Sequence, residues 1–121
     1  MKQQNFSKGR TGEMIAAQYL KRHGFEVIEQ NWHTKFGEID IVAKQNKTLV
    51  FVEVKLKFGD KFGSPEEMIT SVKTKQVLMN AEVYLLTHPE FENYKRRIDG
   101  ICIVMEGETV SRLTHYENLS A

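Results

Sequence analysis

The sequence predicts a mixed α/β fold, one β-sheet flanked by helices in the order α-β-β-β-α-β-β. Two observations carry that prediction. Two segments, about 7–23 and 64–86, repeat apolar residues at helical spacing, while the strongly β-forming runs around Ile41, Val52 and Ile103 are bounded by turn residues. A chain of 121 residues is one domain, 1–121, long enough for a single core and too short for two. No repeat, low-complexity stretch or linker divides it.

The first helix runs from about Ser7 to His23. Ile15, Tyr19 and the small pair Ala16 and Ala17 form its apolar stripe, Gly24 stops it, and Glu13 falls in its first turns. Phe25 to Asn31 alternates weakly around Val27 and reads as an edge strand. A hairpin follows, with strands about Gly37 to Lys44 and Leu49 to Lys57, then a loop rich in Gly, Lys and Phe from Phe58 to Gly63. Ser64-Pro65-Glu66-Glu67 has the signature of a helix start, with Ser64 as cap, Pro65 in the first helical position and Glu67 closing a capping box. The predicted helix continues to about Leu86. Steps of four along it select Ile69, Lys73, Val77, Ala81 and Leu85, so Lys73 interrupts an apolar row and faces inward or towards a cleft, unless it snorkels from the stripe's edge. After His88-Pro89, the last strands are Ile98 to Met105 and Thr109 to His115.

Composition excludes several classes. The 17 basic and 16 acidic residues nearly cancel, so any nucleic-acid surface must come from local segregation of charge. Lys8 with Arg10, Lys55 with Lys57 and Lys61, Lys73 with Lys75, and Lys95-Arg96-Arg97 are the clusters available; each also reads as an ordinary solvated surface. The lone Cys102 lies in an apolar run, which implies a buried core residue and neither a disulfide nor a cysteine zinc site. The residues from Met1 to Phe6 lack a signal peptide's apolar stretch, and no run is long enough to span a bilayer. A soluble cytoplasmic protein is the expectation.

The hairpin carries the chemistry. Along a strand alternate side chains share a face, so Phe51, Glu53 and Lys55 point one way while Val50, Val52, Val54 and Leu56 point the other. Lys55 then stands about 6 to 7 Å along the strand from Glu53. The turn decides whether Asp40 joins them. A loop of Asn46-Lys47, or of Gln45 to Thr48, sets Asp40 opposite Glu53 with Cβ atoms roughly 5 Å apart, whereas a three-residue loop opposes Asp40 to Val52. Facing carboxylates repel, and a divalent cation turns that repulsion into coordination. A Glu-x-Lys pair alone also serves simply to solvate a strand. Glu13 from the first helix adds a third carboxylate. Such a set suits phosphodiester hydrolysis, in which a hard cation polarises the phosphate and a lysine orients water or stabilises developing charge.

Gly9-x-x-Gly12-Glu13, Asn31-Trp32, Gly37-Glu38-Ile39-Asp40, Phe51-Val52-Glu53-Val54-Lys55, Phe62-Gly63, Lys73 with Ala81 and Tyr84, and Arg97-Ile98-Asp99 together resemble the YraN-like family of small bacterial proteins. The match spans about residues 9–104. That family is similar to archaeal Holliday junction resolvases and the PD-(D/E)XK nuclease superfamily, so the resemblance implies a restriction-endonuclease-like sheet and a metal-dependent endonuclease. It implies Asp40, Glu53, the Val54 carbonyl and Glu13 around Mg²⁺ or Mn²⁺, Lys55 as the catalytic lysine, and Lys73 as the helix lysine. The pattern departs at Ile39, where a proline often precedes the aspartate, and at Leu56-Lys57, where Thr-Arg is frequent. DNA, with branched DNA among its candidate forms, is the implied substrate, and a homodimer follows by analogy with enzymes that cut symmetric strands. Two rivals stand beside this expectation: a non-catalytic nucleic-acid-binding module, and a structural adaptor whose charged hairpin solvates an interface.

Overall fold

A computed structural model describes residues 8–59 and 61–119; Ser7, where the sequence places the first helical residue, lies outside the described residues. The observed elements are α1 (Lys8–Arg22), β1 (Glu26–Thr34), β2 (Gly37–Gln45), β3 (Thr48–Phe58), α2 (Ser71–Thr87), β4 (Lys95–Glu106) and β5 (Thr109–Tyr116). The expected order is therefore present. All five strands form one sheet in the spatial order β1-β2-β3-β4-β5. Only β3 and β4 are parallel, because α2 returns the chain to the starting end of the sheet between them.

The central strand, β3, is buried on both faces over most of its length. Val50, Val52, Val54 and Leu56 pack with Ala16, Ala17 and Leu20 of α1, while Leu49 and Phe51 pack with Val77, Ala81 and Tyr84 of α2. This is the alternation predicted for the strand. Cys102 is fully buried among its apolar neighbours, and burial pushes its thiol up to about 12, so it is a core residue. Among the described residues no helix is long and apolar enough to cross a membrane.

The second helix differs from the expectation. Ser64 makes no side-chain cap, and Pro65–Met68 is only a 3-10 turn that ends at an extended Ile69 (φ −95°, ψ 104°). The α-helix begins at Ser71, where Thr70 accepts the Lys73 N–H at 3.2 Å. Packing explains the break. A Cβ on Gly100 would lie 3.0 Å from Ile69 Cδ1, so Ile69 sits against bare glycine backbone in the sheet. Staying in helical phase would pull it away. The turn is also tied to β5, since Glu66 accepts bonds of 2.6 and 3.0 Å from Arg112 and one of 2.8 Å from Tyr116. Lys73 consequently belongs to the first turn of α2.

Candidate active site

The β2–β3 turn is the two-residue Asn46-Lys47 form, because Gln45 pairs with Thr48 and Asn46 adopts φ 55°. The ladder runs from there to Ile41↔Val52. One step further, Asp40 falls level with Glu53, just beyond the last paired residues of the ladder. Instead Asp40 Oδ2 accepts the Val54 N–H at 2.8 Å. A side chain has replaced a ladder carbonyl, so the two strands part around a carboxylate. The alternation of β2 also changes phase here: Ile39 and Val42, three residues apart, both pack in the α2-side core.

Glu13 reaches this opening because Gly12 lets α1 press on β3. A Cβ there would lie 3.3 Å from both Leu56 Cβ and Val54 Cγ1, tighter than ordinary contact. Glu13 is itself buried. Asn31 supplies its side-chain partner and holds φ 56° in the middle of β1, a left-handed conformation rare in a strand. Glu38 completes the cluster. Carboxylate oxygens of Glu13, Glu38 and Asp40 lie within 4.8 Å of one another, an all-oxygen set that can hold a hard divalent cation.

Glu53 and Lys55 share the face predicted for them, with Lys55 Nζ 3.3 Å from Glu53 Oε2 and both side chains largely buried. Two cavities meet at this point. One of about 350 Å³ is lined by Arg10, Glu13, Asn31, Glu38, Asp40, Val54 and Lys55. A smaller one of about 170 Å³ lies towards α2 and carries Glu38, Asp40, Glu53, Lys55 and Lys73. Because Glu38, Asp40 and Lys55 line both, the two cavities adjoin across these three residues and together make up a polar trough. All five side chains expected at the site, Glu13, Asp40, Glu53, Lys55 and Lys73, therefore border the trough, and Lys73 faces the cleft.

Burial is the largest influence on Asp40 and pushes its carboxyl up to about 7. The Val54 N–H opposes that rise, Glu53 and Glu13 add to it, and Lys55 moderates it. Glu13 is raised as well, first by burial and further by Glu38, against the Asn31 bond, Arg10 and Asp40. Without a cation, then, this arrangement disfavours its own charged state.

Sequence reasoning quoted Glu38 and Asn31 within motifs without giving either a place at the site. For Glu38 the signal was its spacing of two from Asp40 on a strand. For Asn31 it was the tolerance of asparagine for left-handed backbone. Asp99, in the Arg97-Ile98-Asp99 motif, lies elsewhere and is fully buried. Burial alone would raise its pKa, but His115, Arg97 and the Asn118 N–H together hold it below the usual carboxylate range. The His115 Nε2–H donates to Asp99 at 2.8 Å, leaving Nδ1 to accept from the Tyr19 hydroxyl at 3.1 Å. This network fastens α1, β4 and β5 together and is structural.

Comparison with known proteins agrees with the motif pattern. A profile described as "Uncharacterised protein family UPF0102" matches residues 12–103. A UPF0102 protein of Vibrio parahaemolyticus is 40% identical over 109 residues, covering 88% of this chain and 90% of its own. One from Syntrophomonas wolfei is 42% identical over 114 residues, covering 94% and 97%. One from Persephonella marina is 40% identical over 97 residues, covering 80% and 83%. The chain belongs to the UPF0102 family, the YraN-like family of the resemblance.

Proposed function

We propose that this UPF0102 chain is a nucleic-acid-binding, metal-dependent endonuclease that hydrolyses phosphodiester bonds at the trough between β2 and β3. The observation that supports it most is the Asp40 carboxylate bonded to Val54 N–H where the strands part, with Glu13 and Glu38 beside it and the Glu53–Lys55 pair adjoining. Glu13 and Glu53 are buried and Asp40 is half-buried, and carboxylates so placed are unfavourable on their own. They become favourable around Mg²⁺ or Mn²⁺, which when bound polarises a phosphate and activates water.

The chain's own residues then divide the work. Asp40, Glu13 and Glu38 hold the cation, with Glu53 and the Val54 carbonyl available on the β3 side. Lys55, steadied by Glu53, orients the attacking water or stabilises charge that builds on the phosphate. Arg10 lines the larger cavity and Lys73 the smaller, and both suit the flanking phosphates. The resemblance of its motifs to Holliday junction resolvases and PD-(D/E)XK nucleases makes branched DNA the first substrate to try and a homodimer the assembly to look for, in the cytoplasm.

The test is a panel of linear, nicked, flap and four-way junction DNAs plus RNA, incubated with pure protein and Mg²⁺ or Mn²⁺. Metal-dependent cleavage of any member supports the reading. Metal-dependent binding without cleavage indicates a binding module, and failure to bind metal indicates an adaptor.

A further inference from the structure

The register of β2 and β3 brings two loops to the trough. Because Ile41 pairs with Val52 in antiparallel sense, the start of β2 lies beside the end of β3. The β1–β2 turn, with Lys35-Phe36, and the segment after β3, with Lys61-Phe62, therefore share the site's end of the sheet. Each presents an exposed aromatic ring, Phe36 at 44% and Phe62 at 85%. Each ring has the preceding lysine near its face, with Nζ 5.4 Å from the Phe36 centroid and 5.8 Å from that of Phe62.

These rings are held out by tethered backbone. The Thr34 hydroxyl donates to Asn80 Oδ1 at 2.6 Å and accepts the Phe36 N–H at 3.1 Å, while Asn80 Nδ2 donates to the Gly37 carbonyl at 2.7 Å. Asn80 is fully buried in α2, so that turn is anchored to the core. Beyond β3, Gly59 N–H donates to the Met105 carbonyl at 2.8 Å and Lys57 Nζ to the Phe62 carbonyl at 3.5 Å. A tethered loop that leaves a phenyl ring open to water forgoes part of the stabilisation that burying the ring would bring. An aromatic face with an ammonium beside it is what a nucleotide offers a partner for: a base to stack and a phosphate to neutralise.

Continuous duplex hides its base faces within the stack. We propose that Phe36 and Phe62 are stacking platforms for unpaired bases on the two sides of the trough, with Lys35 and Lys61 taking the adjacent phosphates. The substrate class is then single-stranded or forked nucleic acid in preference to continuous duplex. This deepens the endonuclease reading and rests on it for the identity of the ligand.

The experiment measures binding without cleavage, by fluorescence anisotropy in EDTA, using a labelled single strand, a fork and a fully paired duplex of the same sequence. Wild-type protein should favour the first two. Phe36→Ala and Phe62→Ala should each weaken binding to single strand and fork by about tenfold while changing duplex affinity by less than about twofold, and Trp at either position should restore it. Both rings are solvent-exposed, so the melting temperatures should match wild type. Equal losses on all three ligands, no loss on any, or no binding by wild type would overturn the proposal. Cleavage by a wild-type protein lacking this preference would defeat only the stacking platforms, whereas Phe-dependent preference without metal-dependent cleavage would defeat only the nuclease reading.

Discussion

Asp40→Asn should make the metal-free protein more stable above neutral pH and leave it unchanged in acid. The ordinary aspartate value is 3.8, and burial first, then Glu53 and Glu13, push Asp40 to about 7 in the native protein. Below 3.8 the carboxyl is protonated in both folded and unfolded chains, so it makes no pH-dependent difference. Between 3.8 and about 7 the unfolded chain ionises first, and native stability falls as pH rises. Above about 7 the loss is complete, and a difference of that size corresponds to about 4 kcal/mol as an upper figure. Asparagine keeps an oxygen for the Val54 N–H and carries no charge, so the variant escapes the loss. Urea denaturation in EDTA, run in parallel from about pH 4 to pH 8.5, should show the variant gaining about 2 to 4 kcal/mol at the alkaline end and almost nothing at the acid end. A difference that is flat with pH, or an asparagine variant that is less stable at about pH 8, would refute the reasoning, because charge burial at Asp40 would then not be what shapes the site.

Lys55→Ala should leave metal and nucleic acid bound while lowering single-turnover cleavage by about 100-fold, the scale of one catalytic electrostatic donor, and quench-flow or gel kinetics would read it. Gly12→Ala places a methyl 3.3 Å from Leu56 Cβ and Val54 Cγ1. Overpacking of about 1 to 3 kcal/mol there should exceed the helix-propensity gain of about 1 kcal/mol. Denaturation should show a net loss, and calorimetric titration should show weaker metal binding as Glu13 is moved. Asn31→Gly keeps the left-handed backbone but removes the Glu13 partner, so it should weaken metal binding with little loss of stability. Asn31→Ala should cost about 1 kcal/mol more, because alanine resists φ 56°; paired denaturation curves separate the two effects.

The faces of β3 were legible because alternation is geometric: once Phe51, Glu53 and Lys55 are in a strand they must share a side. The Asn46-Lys47 turn was legible only as one of several loops, since turn length fixes the register and the sequence permits more than one. What could not be read was the parting of the strands at Asp40, which depends on a side chain competing with a backbone carbonyl for the Val54 N–H. The start of α2 was misplaced for a similar reason. Ser64-Pro65 carries every local sign of a helix start, but the packing of Ile69 on Gly100 is a contact between distant segments and overrides it. Glu38 was hidden by its own motif: two residues before Asp40 it shares the strand face, yet only the close approach of α1 at Gly12 makes it part of a three-carboxylate cluster.

The most direct test of the central claim is cleavage of the nucleic-acid panel by pure wild-type protein and by Asp40→Asn, each with Mg²⁺ or Mn²⁺ and with EDTA. The account predicts cuts by the wild-type protein that require the cation and vanish in Asp40→Asn even though that variant is the more stable fold. Cleavage that persists unchanged in Asp40→Asn, or a wild-type protein that cuts nothing with either metal, would contradict it.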